Sequence, residues 1–178
     1  MPHRIQKLRE DAAGATTLLL VALLAGFSVN TLRARPLPLA HATRAERLDA
    51  AVARLQGPRL APGTPAPAFV NVADVESALG DSGVLIIDVR PDLFFEDGHI
   101  PGAKNLMRDK FEETYPKMSE ATKKAVRVIV YCAGAHCETG EAVTEALRKL
   151  GHNNISLYRG GWDEWSAQNH EIEKGASR

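Results

Sequence analysis

The chain has 178 residues, of which 44% are hydrophobic, 25% are charged and two are Cys. This length fits one ordinary domain with additional sequence, and the composition excludes a collagen-like protein, a disulfide scaffold and wholesale disorder. Residues 1–65 carry nine Lys/Arg against four Asp/Glu, whereas residues 66–178 carry 13 against 18. Because nucleic-acid binding generally needs a basic face, the acidic C-terminal part argues against a nucleic-acid partner.

An uncharged, mostly apolar segment covers residues 12–32 and follows a short basic tail, residues 1–11. As a helix the segment is about 30 Å long, which is the thickness of the hydrocarbon core of a bilayer, so it predicts a transmembrane helix. A cleaved signal peptide is the alternative. The nearest small-x-small motif, at residues 40–42, lies too far beyond the apolar run for ordinary cleavage, which favours an uncleaved anchor.

Basic residues flank this segment in similar numbers, so the positive-inside rule gives little preference for orientation. Long C-terminal domains are translocated largely regardless of their charge. We therefore expect a single-pass membrane protein whose C-terminal domain lies on the non-cytoplasmic side.

Residues 33–67 are predicted to be a Pro-rich linker that contains one short helix. Thr43 is a suitable N-cap for a helix over about 44–56, where apolar residues recur at helical spacing. Gly57-Pro58 ends it, and residues 61–68 form an extended, proline-stiffened tether. We interpret the helix as a packing or spacer element.

From residue 69 onward, short strands alternate with helices. Apolar runs over 84–89 and 126–131 are typical of strands buried on both faces of a parallel sheet, and shorter strands are predicted over 69–72 and 155–158. Helices or helical turns are predicted over 73–79, 91–96, 107–115 (ending near Pro116), 120–125, 138–150 and 162–168. The pattern predicts an α/β domain over residues 68–169, with an open, mostly parallel sheet, helices on both faces and a C-terminal tail over 170–178.

Cys132 directly follows the second buried strand and precedes the helix that begins near Glu138. Chemistry in open α/β sheets is concentrated at the carboxyl ends of the strands, and a helix N-terminus favours a thiolate there. Ala133, Gly134 and Ala135 add no bulk, so the backbone N–H groups of the loop are able to surround an anion. The alternative is a structural cysteine that behaves as a small buried hydrophobe.

Several motifs occur in one order along the chain: Leu85-Ile-Ile-Asp-Val-Arg90, Gly98-His-Ile-Pro-Gly-Ala103, Val130-Tyr-Cys132, and Gly160-Gly-Trp162 followed by Trp165. This ordered set resembles a rhodanese-like (sulfurtransferase) domain over about residues 68–169. The resemblance implies that Cys132 accepts a sulfane sulfur as a persulfide and passes it to an acceptor. The backbone of Ala133, Gly134, Ala135, His136 and Cys137 would stabilise the anionic sulfur. The implied partners are a sulfur donor and a thiol acceptor, with no cofactor and no metal.

The loop departs from the family pattern at its sixth position. Active members usually carry a basic residue there, whereas this chain has Cys137, and no Lys or Arg follows Cys132 before Arg148. His136 is the only potential cation within the loop. We therefore expect weak activity with thiosulfate. A related phosphatase would need Arg at position 138, which is Glu, so phosphatase chemistry is disfavoured.

Cys137 leaves other functions open. It would form a reversible disulfide with Cys132 or resolve an oxidised Cys132, as in a dithiol redox or sensor module. A non-catalytic interaction domain is a further alternative. Metal capture by Cys132, His136 and Cys137 is disfavoured because the spacing is not typical of zinc sites and a helix N-terminus repels a cation.

Five further residues are interpreted as supporting rather than catalytic. Asp88 and Arg90, at a strand end, are predicted to form a buried or half-buried pair that organises the neighbouring loops. His99 is expected to satisfy buried backbone groups, and Trp162, like Trp165, to pack the last helix.

Overall fold

The structure is a computed structural model that describes residues 2–32, 42–55 and 66–176. The chain divides into two compact units, within residues 1–41 and 42–178. The described residues of the first unit contain the helix α1 (Pro2–Thr31). Within the described residues, its segment Gly14–Thr31 is the one helix long and apolar enough to span a membrane, and none of that segment is buried in protein.

The second unit contains five strands and six helices in the part of the chain that the structure describes. The strands are β1 (Ala68–Val70), β2 (Val84–Asp88), β3 (Lys104–Asn105), β4 (Arg127–Tyr131) and β5 (Ile155–Tyr158). The helices are α2 (Arg44–Arg54), α3 (Val72–Ala78), α4 (Asp92–Asp97), α5 (Phe111–Lys124), α6 (Glu138–Lys149) and α7 (Gly161–Ala167), with a 3-10 turn at Arg108–Lys110.

The five strands form one sheet in the order β1-β5-β4-β2-β3, and every neighbouring pair is parallel. The predicted open, parallel α/β sheet is therefore confirmed. Because β4 is the middle strand, both of its edges are hydrogen-bonded and both of its faces are covered. Its carboxyl end consequently lies at the centre of one edge of the sheet.

Two apolar layers cover the two faces of the sheet. One layer joins α2, α5 and α6 to strand residues such as Val128 and Val130, and the other joins α3, α4 and α7 to residues such as Ile129. This alternation follows from the period of two in a strand. Cys132 follows Val128 and Val130 on the same face and belongs to the layer that contains α6.

Helix α2 packs onto this domain. The side chain of Thr43 accepts a hydrogen bond from the Glu46 N–H group, and the Glu46 carboxylate accepts one from the Thr43 N–H group, which is a capping box. Its buried residues Leu48, Ala51 and Val52 join the layer formed by α5 and α6. The short helix predicted within the linker therefore contributes to the core of the domain.

The structure differs from the prediction in two places: one helix boundary is wrong and one short strand was missed. Helix α5 does not end near Pro116 but continues to Lys124, because Tyr115, Met118 and Thr122 are buried along one face and this packing outweighs one lost backbone hydrogen bond. The short strand β3 was not predicted, since two residues show no periodicity. The predictions for residues 33–41 and 56–65 lie outside the described residues.

Candidate active site

Cys132 lies directly beyond the carboxyl end of β4, at the centre of the sheet edge. Its side chain is 7% exposed. The loop runs through Ala133, Gly134, Ala135 and His136 to Cys137, which is the N-cap residue of α6. Ala133, Ala135 and His136 are exposed, whereas Cys137 is half-buried against the core. The predicted loop therefore connects the end of the central strand β4 to the N-terminus of α6.

The first turn of α7 holds the start of this loop. The Trp162 N–H group donates to the Cys132 carbonyl at 2.9 Å, and the Asp163 N–H group donates to the Ala133 carbonyl at 2.7 Å. In a trans peptide the C=O and the next N–H point in opposite directions, so the N–H groups of Ala133 and Gly134 point away from α7. Backbone N–H groups that are turned away from the rest of the fold in this way are the kind of donors that anion-binding loops use.

Gly161 permits the close approach of α7 to the loop. Its φ is +61°, and a Cβ atom there would lie 2.5 Å from the Cys132 carbonyl oxygen and 2.8 Å from that of Ala133. The loop is tight at its other end as well, because the Cys137 N–H group donates to the Gly134 carbonyl at 3.1 Å. The sequence motif Gly160-Gly-Trp162 therefore encodes a contact with the loop as well as a turn.

Cys132 and Cys137 are joined by a disulfide bond. Their Cα atoms are 6.2 Å apart, within the range usual for disulfides. These are the two cysteines of the whole chain, so the structure shows the fully oxidised form. In the described part of the chain, no group of three or more His, Cys, Asp or Glu side chains is placed to hold a metal ion.

Asp88 and Arg90 form the predicted buried pair at the end of β2. Arg90 Nη2 donates to Asp88 Oδ2 at 2.7 Å and to the Gly98 carbonyl at 2.6 Å. The guanidinium carbon lies 4.5 Å from the centre of the Trp162 ring. Arg90 thus connects the end of β2 to the residue whose N–H group holds Cys132, which is a positioning role.

His99 is buried and serves the architecture, as expected from the sequence. Its Nδ1 atom is 2.8 Å from the Phe95 carbonyl oxygen, and its ring stacks on that of Phe95. Tyr131, the last residue of β4, accepts a hydrogen bond from the Ile100 N–H group through its hydroxyl. Burial and the neighbouring Asp88 carboxylate raise the pKa of Tyr131, so its hydroxyl stays protonated.

A cationic cavity beside the first turn of α6 was not predicted from the sequence. It has a volume of about 260 Å³, and Thr139 and Arg108 are among its lining residues. Arg44 and Lys110 also line it and pair with Asp109 and Asp92 respectively. The buried Nε atom of Arg108 has no hydrogen-bond partner among the described residues. No local sequence signal connects this 3-10 turn with α6, because 27 residues lie between them.

Comparisons with known proteins agree with this geometry. The Rhodanese-like domain family matches the chain over residues 71–168. A mitochondrial protein of Schizosaccharomyces pombe that is named as a thiosulfate sulfurtransferase is 34% identical in an alignment of 96 positions, which covers 49% of this chain and 66% of that protein. The tRNA uridine(34) hydroxylase of Escherichia coli is 29% identical in an alignment of 106 positions, which covers 58% of this chain and 29% of the hydroxylase.

A solved structure shows the same fold. The crystal structure of the BH2092 protein from Bacillus halodurans has a TM-score of 0.54 and 23% sequence identity, over 60% of this chain and 77% of that one. The chain spans less than two thirds of the length of both curated relatives described above. Because the family match covers more than half of the chain and includes β2, β4 and the cysteine loop, this chain belongs to the rhodanese-like domain family.

Proposed function

We propose that this chain is a membrane-anchored sulfurtransferase-type protein that carries or transfers sulfane sulfur as a persulfide on Cys132. The observation that carries the proposal is the position of Cys132. Cys132 follows the central strand β4. Helix α7 holds the carbonyl groups of Cys132 and Ala133, so the N–H groups of Ala133 and Gly134 point away from α7. An anionic sulfur attached to Cys132 is stabilised by such donors and by the N-terminus of α6.

The chemistry begins from the reduced loop. The Cys132 thiolate attacks the outer sulfur of a donor of the form R–S–S⁻, the S–S bond of the donor breaks, and the thiolate R–S⁻ leaves. An acceptor thiolate then attacks the outer sulfur of the Cys132 persulfide, and Cys132 leaves as a thiolate. The two steps are thiol–disulfide exchanges and need no external electron donor.

The charge of the loop favours a weakly charged donor. No Lys or Arg lies between residues 132 and 137, and the Asp163 side chain is close enough to crowd a Cβ placed at position 134. A dianionic donor would meet a thiolate with only backbone donors to offset the repulsion. We therefore propose organic persulfides or polysulfides as donors, with a small-molecule or protein thiol as acceptor.

Membrane attachment is the second part of the proposal, with the C-terminal domain on the non-cytoplasmic side. The segment Gly14–Thr31 of α1 supports it, because this segment is long and apolar enough to cross a bilayer. Its leucines are exposed in the isolated chain, and the exposed fraction of Leu18 is 73%. Removal of residues 1–35 is expected to move the protein from the membrane fraction to the soluble fraction with its domain folded. An insoluble or unfolded truncated chain would contradict the proposal.

Intact mass spectrometry tests the persulfide directly. The full-length chain is reduced in detergent, freed of reductant and exposed to an organic persulfide. The Cys137→Ser variant should gain one sulfur atom, and the variant that also contains Cys132→Ser should gain none. If the Cys137→Ser variant gains no sulfur, or gains it without Cys132, the proposal is wrong.

A dithiol redox or sensor function is the second candidate, and the Cys132–Cys137 disulfide is the observation that favours it. In this case an oxidant removes two hydrogens from the dithiol, and the loop alternates between two redox states without carrying sulfur. The same mass measurement distinguishes the two functions, because the redox function gives the disulfide in the wild-type chain and no sulfur on the Cys137→Ser variant.

A further inference from the structure

We propose that Cys137 discharges the persulfide of Cys132 as hydrosulfide, so that the chain acts as a sulfane-sulfur reductase. This inference rests on the proposed persulfide on Cys132 and goes beyond it. It assigns a product, a second reacting cysteine and a required dithiol partner.

The first argument is reach. The sulfur atoms of Cys132 and Cys137 are bonded in the structure, with their Cα atoms 6.2 Å apart. In this same oxidised form the Cys132 and Ala133 carbonyls keep their hydrogen bonds to α7. The Cys137 sulfur therefore reaches the sulfur of Cys132 while both contacts that hold the loop to α7 are intact.

The second argument is competition with external thiols. The Cys132 side chain is 7% exposed, which restricts the approach of a thiol from solution. Cys137 approaches from inside the loop, as an intramolecular nucleophile with a high effective concentration. It is the N-cap of the 12-residue helix α6, where a thiolate is favoured.

The discharge step is balanced in atoms and electrons. The Cys137 thiolate attacks the Sγ atom of Cys132 and forms the Cys132–Cys137 disulfide. The bond between Cys132 Sγ and the outer sulfur breaks, and the outer sulfur leaves with the electron pair, taking one proton from water to become hydrosulfide. In this step the sulfane sulfur is reduced and the Cys137 sulfur is oxidised, while Cys132 exchanges one S–S bond for another. Over loading and discharge together, the Cys132–Cys137 dithiol becomes a disulfide.

A reductant must then reopen the disulfide, and its chemical class is a dithiol. One of its thiolates attacks Cys137, which is half-buried beside the exposed Ala135 and His136, rather than the more buried Cys132. Cys132 leaves as a thiolate, the mixed disulfide on Cys137 is resolved by the second thiol, and the dithiol becomes a disulfide. Each turnover therefore consumes one donor persulfide and one dithiol and releases one hydrosulfide.

The test uses the full-length chain, reduced and freed of reductant, with cysteine persulfide as the donor because its leaving group is a thiol and not hydrosulfide. Hydrosulfide is trapped by alkylation, and the mass of the protein is measured in the same sample. The wild-type chain is expected to release one hydrosulfide per chain and to lose two hydrogens. The Cys137→Ser and Cys137→Ala variants should keep the added sulfur and release about ten times less hydrosulfide or lower still, because they lack an intramolecular thiolate with a high effective concentration.

The outcomes separate this inference from the proposed function. If wild type and both Cys137 variants all keep the added sulfur and release equally little hydrosulfide, the inference is wrong and the persulfide proposal stands. If neither Cys137 variant gains sulfur, the persulfide proposal itself fails. Should the variants not fold, the wild-type chain still tests the inference, because its hydrosulfide and its disulfide must appear in a one-to-one ratio. Any other ratio contradicts the inference. Addition of dithiothreitol should then convert the single release into repeated turnover.

Discussion

Arg90 and Asp88 form an ion pair with three hydrogen bonds between their side chains, which are 6% and 0% exposed. Replacing Asp88 by Asn leaves the guanidinium of Arg90 buried without a counter-charge, which usually costs about 3–5 kcal/mol of unfolding free energy. Urea unfolding of the full-length chain, or of the chain without residues 1–35, measures this loss.

The exposed pair between Lys123 and Glu120 supplies the control for this prediction. Lys123→Gln should leave stability unchanged within error, since pairs of exposed side chains contribute little. An equal loss for both variants would show that the Asp88 carboxylate has no special structural role.

Gly161→Ala is expected to disrupt the cysteine loop. The added Cβ would collide with the carbonyl oxygens of Cys132 and Ala133 and would also occupy a left-handed backbone conformation. Gly80→Ala is the matched control, because Gly80 has a φ of +76° but nothing within 4 Å of its Cβ position. The control should lose about 1 kcal/mol of stability and keep full sulfur loading, whereas Gly161→Ala should lose loading as well. Mass spectrometry after persulfide treatment measures loading, and unchanged loading in Gly161→Ala would contradict the assigned contact.

His152 makes the stability of the domain depend on pH. Burial, with a smaller contribution from Lys123, lowers the pKa of His152 below the usual histidine value of about 6.5. The unfolded chain therefore binds a proton at a higher pH than the folded chain, and stability falls as the pH drops below about 6.5 until the folded-state pKa is reached. His152→Gln should reduce the difference in unfolding free energy between about pH 7.5 and about pH 5.5.

Tyr115→Phe is the control for this prediction, because the Tyr115 hydroxyl lies 2.8 Å from His152 Nε2. This variant loses the hydrogen bond but retains the buried imidazole. It should be less stable at every pH and should keep most of the wild-type pH dependence. If Tyr115→Phe removes the pH dependence and His152→Gln does not, the assignment to imidazole burial is wrong.

Cys137→Arg is expected to raise thiosulfate turnover. A guanidinium in the loop offsets the repulsion between the Cys132 thiolate and a dianionic donor, and charge-assisted hydrogen bonds of roughly 1.5–3 kcal/mol correspond to about one to two decades in rate. Cys137→Met is the control that removes the thiol without adding charge, and it should show no gain. Steady-state kinetics with thiosulfate and cyanide provide the measurement.

Efficient use of thiosulfate by the wild-type chain would contradict this electrostatic account. Arg108→Gln then identifies the cause, because Arg108 lines the cationic cavity beside the first turn of α6. A loss of thiosulfate turnover in that variant would show that Arg108 supplies the cation that the loop lacks. Unchanged turnover would show that the backbone N–H groups alone suffice to bind thiosulfate.

Much of the site was predictable because it depends on local pattern. The apolar runs that became β2 and β4 place Asp88 and Cys132 at strand ends, and small residues with a following helix indicate an anion-binding loop. Periodicity also predicted α2 and its Thr43 cap. These features depend on residues within about one helical turn or one strand of each other, so the chain encodes them locally.

Other features were decided only by the folded arrangement of the whole domain. The sequence by itself determined a parallel α/β domain with Cys132 at a strand end, and it left the role of Cys137 open. The tertiary structure placed β4 at the centre of the sheet, carried α5 through Pro116 and joined Cys137 to Cys132. It also set the N–H groups of α7 against the carbonyls of the loop, about 30 residues away in the chain. Strand order and helix-to-loop contacts arise from packing of the whole core, which no local pattern of residues specifies.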